Sequence, residues 1–116
     1  MEWTSGNIFI RPNVMSNVGD KCGGHTHNFD HTTIVFSGRV KVRAHRALED
    51  GSPGEFICER TFGGPDDPAR HFLVKARVCH EIEALEPNTV FWCVYSHRDP
   101  QGDVVQANNG WQEAYV

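Results

Sequence analysis

The sequence predicts an all-β protein, either a sandwich or a barrel, and three observations lead to that prediction. Most apolar stretches alternate with polar residues at a period of two, which is typical of strands with one buried face. Clusters of Gly, Pro, Asp and Asn separate these stretches at short intervals. The chain has 116 residues, 39% of them hydrophobic, which is enough for one core and too few for two. We therefore expect a single domain over residues 1–116.

The strands follow from this pattern in order along the chain. They cover residues 7–10, 32–36, 39–45, 56–62, 72–78, 80–85 and 89–95. The first is short and apolar, the second is rich in β-branched and aromatic residues, and the third alternates strictly. A helical turn is the alternative over residues 43–50, although this segment has no apolar stripe.

The charge pattern argues against a nucleic-acid partner. The formal net charge is −4, and the eleven Lys and Arg residues are scattered among acidic ones, whereas phosphate binding needs a clustered positive surface. The nearest approach to a patch is Lys41, Arg43 and Arg46. Their alternation with small apolar residues is typical of the outer face of a strand.

The same composition predicts a soluble cytoplasmic protein without a membrane partner. No apolar run approaches the ~20 residues that a membrane helix needs, and the first residues lack the pattern of a signal peptide. The four cysteines form no Cys-x-x-Cys unit, so we expect reduced thiols. Cys58, Cys79 and Cys93 lie among apolar residues and are predicted to be core side chains. Cys22 is either a loop residue, an additional metal ligand or a redox-sensitive thiol.

A cluster of histidines between residues 19 and 38 predicts a metal site. His25 and His27 form a His-x-His pair, which places both imidazoles on one face of an extended segment. His31 has the same parity and reaches the same ion if the chain stays extended or turns slightly. Neutral imidazole suits Fe, Ni, Mn, Zn or Cu, and the missing carboxylates argue against calcium and magnesium. We expect one divalent transition metal per chain; the alternative is solvated loop histidines beside a Gly-Gly turn.

This segment resembles the first motif of the cupin superfamily. That motif is a Gly, five residues, His-x-His, three or four residues, a Glu, six residues and a Gly. The matching residues here are Gly19, His25, His27, His31 and Gly38, with His31 in place of the Glu. The resemblance implies a jelly-roll barrel, also described as a double-stranded β-helix, with the first motif at residues 19–38.

The second cupin motif is centred on one further His near the C-terminal end, and His80 lies where that residue is expected. The Pro-x-Gly and Asn of the motif have no counterpart in residues 75–84, so only the His carries over. The competing ligand is His71, and His45 and His97 are weaker choices.

The ligand set decides the chemistry of the metal. If His31 binds, four neutral imidazoles leave the dipositive charge of the ion uncompensated, and two positions of an octahedral ion stay free. If His31 does not bind, three histidines leave three free positions, as in some cupin dioxygenases. Open coordination of either kind favours a reaction or ligand exchange over a closed structural site.

Tyr95 is a candidate catalytic residue through a predicted strand pairing. If residues 85–90 form a hairpin, His80 faces Tyr95 across two paired strands, and a phenol beside the metal can donate a proton. A one-residue slip would replace Tyr95 by a neighbour, and a plain core tyrosine is the alternative. Glu81 points to the opposite face and is a poor candidate base.

The resemblance implies a small metal-dependent enzyme acting on a small-molecule polar substrate. A dioxygenase is favoured over an isomerase or lyase, because nitrogen ligands with open positions suit Fe(II) chemistry. The alternatives are a non-catalytic metal or small-ligand binding or sensor protein, and a metal-free cupin with histidine acid/base chemistry. Small cupins commonly pair and residues 90–95 are apolar on both faces, so we expect a homodimer, with the strand around Ile8 and Ile10 contributing to the interface.

Overall fold

The computed structural model describes residues 3–26, 29–65, 67, 69–96, 98–101 and 103–104, with residues 3–5 and 25 described by their backbone alone. In these ranges the chain forms nine β-strands. The strands are β1 Trp3–Ser5, β2 Ile8–Met15, β3 Lys21–His25, β4 His31–Ser37, β5 Arg39–Ala47, β6 Pro53–Gly63, β7 His71–Val74, β8 Val78–Ala84 and β9 Thr89–Ser96. Over the described residues, no helix has the length and apolar character needed to cross a membrane.

The nine strands form two antiparallel sheets that face each other. The five-stranded sheet has the order β1-β2-β9-β4-β7, and the four-stranded sheet has the order β3-β8-β5-β6. From β2 onward the chain alternates between the sheets, except that β5 and β6 are consecutive neighbours in one sheet. Strands that return alternately to two layers produce a jelly-roll sandwich. The prediction of an all-β protein is confirmed.

The core lies between the sheets and receives side chains from both. On β5, Val40 and Val42 are buried while Lys41 between them faces outward, which confirms the inner and outer faces predicted for this strand. From the five-stranded sheet, Phe91 is fully buried. The stacked rings of Phe62 and Phe72, with centroids 4.6 Å apart, join the edge strand of one sheet to the edge strand of the other.

Gly38 allows the chain to pass from β4 in one sheet to β5 in the other. Its φ is +83°, and a Cβ at this position would collide with the side chain of Thr89. Thr89 is fully buried, and its hydroxyl donates a hydrogen bond to the carbonyl of Glu86 at 2.9 Å. The crossing therefore needs a residue without a side chain, both for the backbone angle and for the contact.

Several strand boundaries differ from the prediction. Two strands, β1 and β3, were not predicted, and β2 continues beyond residue 10 to Met15. The strand predicted at 72–78 ends at Val74, because a turn follows in which Arg77 adopts a φ of +61°. Residues 39–47 form a strand, so the alternative of a helical turn is wrong.

The hairpin predicted between β8 and β9 is also wrong, because these strands lie in different sheets. Their connection crosses the edge of the sandwich. There the amide of Leu85 donates to the carbonyl of Arg39 at 2.9 Å, and the amide of Asn88 donates to the carbonyl of Ser16 at 3.1 Å. Strand β9 pairs with β2 and β4 instead.

The cysteines only partly follow the prediction of core thiols. Cys79 is buried and Cys93 is half-buried, whereas Cys58 is exposed, which corrects the prediction for that residue. All four cysteines are free thiols. Cys58 pairs with Ala44 on the inner face of β6, but β7 is four residues long and covers only the end of β6 that contains Phe62.

Candidate functional site

His80 lies at the centre of the four-stranded sheet and is half-buried. Its backbone is opposite His25 of β3 on one side and Ala44 of β5 on the other. Its Nδ1 lies 3.1 Å from the carbonyl oxygen of Val78. A carbonyl only accepts, so Nδ1 carries the proton in this bond, and the neutral ring keeps its lone pair on Nε2. One ring nitrogen is thus anchored to the backbone, and the other is available to a ligand.

Burial favours the neutral form of this imidazole. Desolvation lowers the pKa of His80 below its ordinary value, and the hydrogen bond to Val78 opposes that shift with a smaller effect. A neutral imidazole is the form that binds metal ions. His80 therefore has the protonation state that the predicted ligand role requires.

His31 approaches from the facing sheet. It begins β4 and is buried, with 8% of its surface exposed. Together with His80 it lines a cavity of about 50 Å³ between the two sheets, which is large enough for an ion or a water molecule. The cavity is bounded by Cys22, Gly23, His31, Thr33, Val74, His80, Ile82, Phe91 and Cys93.

Two thiols and a hydroxyl complete the polar lining of this small cavity. The Thr33 hydroxyl lies 3.9 Å from the Cys93 sulfur, and burial raises the pKa of the Cys93 thiol, so the thiol stays protonated at neutral pH. Cys22 packs against the core from β3. Cys22 is therefore a strand residue and not a loop residue. An additional metal ligand and a redox-sensitive thiol remain as the alternatives for it.

Gly23 brings β3 unusually close to β8 beside His80. A bulge interrupts the pairing between Gly23 and His25. Gly23 has a φ of +98°, and a Cβ here would collide with the carbonyl oxygen of His80. Only glycine satisfies both conditions. The bulge sets the register in which the backbone of His25 lies opposite His80.

The predicted ligands are thus brought together in part. His31 and His80 line one cavity, and the backbone of His25 is adjacent to His80. The side chain of His25 lies outside the described part of the structure, as do His27 and His97. Within the part that is described, no three His, Cys, Asp or Glu side chains are grouped closely enough to hold an ion.

Tyr95 lies beside His31 and not opposite His80. Tyr95 pairs with Phe9 of β2 and not with the predicted partner, His80. The Tyr95 ring lies 4.9 Å from Phe9, 5.5 Å from Phe29 and 5.7 Å from His31, measured between centroids. The tyrosine is therefore part of an aromatic cluster that contains one of the predicted ligands.

A larger cleft of about 440 Å³ opens on the other side of His80. It lies between the inner face of β5 and β6 and the short strand β7. Its lining residues are Val42, Ala44, Cys58, Arg60, Phe62, Ala69, His71, Phe72, Leu73 and His80. His71, the competing ligand, is exposed and faces this cleft without lining the small cavity.

Two other residues considered in the sequence lie away from both cavities. His45 packs edge-on against Phe56, with ring centroids 5.6 Å apart. Glu81 is on the outer face of the sheet, 3.0 Å from an Arg43 nitrogen. The prediction that Glu81 points away from the His80 side is confirmed.

Arg60 is a charged residue of the cleft, and the sequence alone does not distinguish it. It is one of eleven scattered Lys and Arg residues, and no motif in the adjacent sequence distinguishes it from the others. Its register partner is Val42, whose side chain is buried. A correct pairing of β5 with β6 is the signal that would have placed Arg60 on the inner face.

Comparisons with known proteins establish the fold. No protein-family model matches the chain, and no curated protein matches it. Among solved structures, it is similar to the capsular polysaccharide assembling protein CapF from Staphylococcus aureus, with a TM-score of 0.57, 22% identity and 84% of this chain covered. It is also similar to hydroquinone 1,2-dioxygenase PnpCD in complex with Cd2+ and 4-hydroxybenzonitrile, with a TM-score of 0.59, 14% identity and 78% of this chain covered.

A third similar structure is RmlC from Streptococcus suis in complex with dTDP-D-xylose, with a TM-score of 0.53, 17% identity and 79% of this chain covered. This chain spans 25% of CapF, 59% of the PnpCD chain and 46% of RmlC. The shared architecture is a jelly roll.

Proposed function

The chain has the cupin jelly-roll fold, and on that premise we propose that it is a metal-dependent enzyme acting on a small polar substrate between its sheets. The observation that carries the proposal is the pair His31 and His80. They come from opposite sheets and line one cavity of about 50 Å³, with the backbone of His25 directly beside His80.

In this proposal His25, His27, His31 and His80 hold one divalent transition metal. The donors fit such an ion, because His80 has an anchored, neutral ring with a free Nε2 lone pair and His31 is a buried imidazole on the same cavity. When bound, the metal supplies Lewis acidity and, if it is iron, one-electron chemistry. Iron, nickel, manganese, zinc and copper all accept these ligands.

A dioxygenase is the favoured reaction class. Nitrogen ligation with open positions suits oxygen chemistry, and PnpCD, a dioxygenase of the same fold, was solved with Cd2+ and an aromatic nitrile. An isomerase or a lyase is the next choice, because one fold supports many reactions.

The chain's own residues have separate roles in this scheme. The hydrogen bond to Val78 holds the His80 ring in one orientation. The aromatic cluster around Tyr95 packs against His31 and limits the access of water to that ring. The Tyr95 phenol is the candidate proton donor, because its ring lies beside that of His31, with centroids 5.7 Å apart.

Elemental analysis of protein prepared without chelator tests the metal site. We expect about one metal ion per chain in the parent and in His45→Ala, whose imidazole packs on Phe56 away from the cavity. The ion should be lost from His25→Ala, His27→Ala and His80→Ala, and the His31→Ala result distinguishes four ligands from three. An unchanged metal content in His80→Ala, or no metal after reconstitution with iron, nickel, manganese, copper and zinc, would contradict the proposal.

Turnover separates the enzyme from the alternative of a binding or sensor module. An enzyme of the proposed class consumes oxygen or substrate, and chelation abolishes that consumption. A binding protein takes up its ligand stoichiometrically and consumes neither. Activity that survives chelation would indicate histidine acid/base chemistry without a metal.

We also propose that the protein is a homodimer. In support, Trp92 on the outer face of β9 packs against Phe36 with centroids 4.2 Å apart, and Phe36 is 50% exposed, which leaves an apolar surface on the five-stranded sheet. Sedimentation equilibrium should give twice the chain mass. A monomer at micromolar concentration would contradict this proposal.

A further inference from the structure

Arg60 is positioned at the wall of the 440 Å³ cleft. It lies on β6 opposite Val42 of β5, and Val42 faces the core. The guanidinium carbon of Arg60 lies 5.0 Å from the centroid of the Phe62 ring. Stacking on an aromatic face orients the planar guanidinium and leaves its N–H groups available at the edge.

The charge inside the cleft has one sign. Over the described residues, its lining contains a guanidinium and two imidazoles and no carboxylate. Arg60 forms no ion pair with another described residue, whereas Arg43 binds Glu59 at 2.8 Å and Arg46 lies 3.9 Å from Glu55. The chain as a whole carries a net charge of −4. An accessible cation in such a protein favours an anionic ligand at this position.

The rest of the cleft is apolar. Phe62 and Phe72 form a stacked pair at its base, and Leu73 and Ala44 contribute aliphatic surface. A volume of about 440 Å³ lies within the range of small-molecule sites. The site therefore offers one charged contact and a larger apolar contact area.

We propose that the cleft binds a small carboxylate with an apolar body, and that this is the substrate class of the protein. The Arg60 guanidinium donates two parallel hydrogen bonds to the carboxylate. The apolar body rests on Phe62 and Phe72, and the opposite end of the ligand reaches His80, which lines both the cleft and the small cavity. One fixed cation balances a monoanion, which favours a carboxylate over a phosphate dianion. The assignment rests on the proposed function, since it takes His80 as a metal ligand.

Calorimetric titration with benzoate tests the assignment, with benzamide as the neutral isostere and phenyl phosphate as the dianion. The full-length chain is titrated as purified and again after chelator treatment. The variants are Arg60→Gln and, as a matched control, Arg46→Gln, whose side chain is exposed and does not line the cleft. We expect benzoate to bind the parent and the control equally and Arg60→Gln about 10- to 100-fold more weakly, in both preparations.

Three results would overturn the assignment. They are benzamide binding as tightly as benzoate, phenyl phosphate binding more tightly than benzoate, and benzoate affinity that is unchanged in Arg60→Gln. If the third result is accompanied by benzoate binding that requires the metal, the assignment to Arg60 fails while the metal site stands. Metal content, measured on the same samples, reports separately on the proposed function, because Arg60→Gln should retain the ion that His80→Ala loses.

Discussion

The two faces of the four-stranded sheet both carry polar side chains, but they use them differently. On the outer face, Arg43 binds Glu59 at 2.8 Å and both Glu81 and Glu83 at 3.0 Å. On the inner face, His80 has one nitrogen bonded to the backbone, and Arg60 stacks on an aromatic ring. The outer groups bind one another across three strands, whereas the inner groups keep a ring nitrogen and guanidinium N–H groups available to a ligand that enters from outside.

The comparison shows why a position on one strand decides the role of a residue. His80 and Glu81 are adjacent, yet one lines two cavities and the other joins a surface ion-pair network. Burial lowers the pKa of His80, and the hydrogen bond from Arg43 lowers the pKa of Glu83 on the outer face. The first shift results from the loss of water and the second from a partner.

The largest expected effect on stability comes from placing a side chain at Gly23, where β3 lies close to the backbone of His80. Gly23→Ala places a Cβ against the His80 carbonyl at a φ of +98°, while Gly24→Ala places one in open space at a φ of +82°. Both variants carry the backbone strain of about 1–2 kcal/mol, and Gly23→Ala should lose about 1–3 kcal/mol more in urea unfolding because of the collision. Equal losses would show that β3 is free to move away from His80.

A smaller effect is expected on the pH dependence of the stability of the metal-free protein. Burial holds the pKa of folded His80 below its ordinary value of 6.5, so on acidification the unfolded chain binds the proton first. The free energy of unfolding should therefore fall as the pH drops through 6.5 toward the folded pKa, and His80→Gln should show a shallower fall. Urea unfolding at several pH values between 7.5 and 5 measures it. Parallel curves for parent and variant would exclude a titrating contribution from His80.

The contribution of the outer-face ion pairs to stability should depend on salt concentration, whereas that of the inner-face contacts should not. Arg43→Gln removes three ion pairs, and the loss in melting temperature should shrink in 1 M salt because the pairs are partly exposed and screened. Arg43 also lowers the pKa of Glu83, so the network stabilises the fold above the ordinary Glu pKa and loses that contribution as the pH falls through the folded value. Metal content should stay at the parent level; its loss would mean that the two faces are coupled.

The smallest change in stability is expected from Tyr95→Phe. The variant keeps the ring contacts with Phe9, Phe29 and His31 and removes only the hydroxyl, so stability should change by about 1 kcal/mol or less. Tyr95→Ala, which removes the ring, should cost about 2–4 kcal/mol. If the phenol donates a proton, turnover in Tyr95→Phe should fall by about 100-fold or more and lose its alkaline limb. Unchanged turnover and pH profile would leave Tyr95 a packing residue.

Local patterns predicted the strands that alternate and failed for those that do not. The strict alternation of residues 39–45 predicts β5, because a strand with one buried face must alternate. Strand β3 contains Cys22 followed by two glycines, and this sequence has no intrinsic preference for a strand. It is held as a strand by pairing with β8 across a bulge, which is a long-range contact that a local pattern does not contain.

The connection between β8 and β9 failed for a different reason. A short segment with Pro87 and Asn88 fits a hairpin as well as a crossing between layers, and length alone does not distinguish them. In the folded chain this segment is a crossing, with a hydrogen bond from the Leu85 amide to the Arg39 carbonyl, a long-range contact that the local sequence does not contain. This error placed Tyr95 opposite His80, when its ring neighbour among the predicted ligands is His31. The spacing of the histidines in the sequence predicts the candidate metal site. The position of Arg60 in the cleft follows only from the pairing of β5 with β6.

The difference in length between β6 and β7 has a consequence for the speed of ligand exchange. Strand β6 has 11 residues and β7 has 4, so the inner face of β6 around Cys58 and Arg60 meets solvent directly. A molecule reaches this face without any backbone hydrogen bond having to break. Association is then limited by diffusion and desolvation and needs no opening motion, so complexes of modest affinity should exchange rapidly on the NMR timescale.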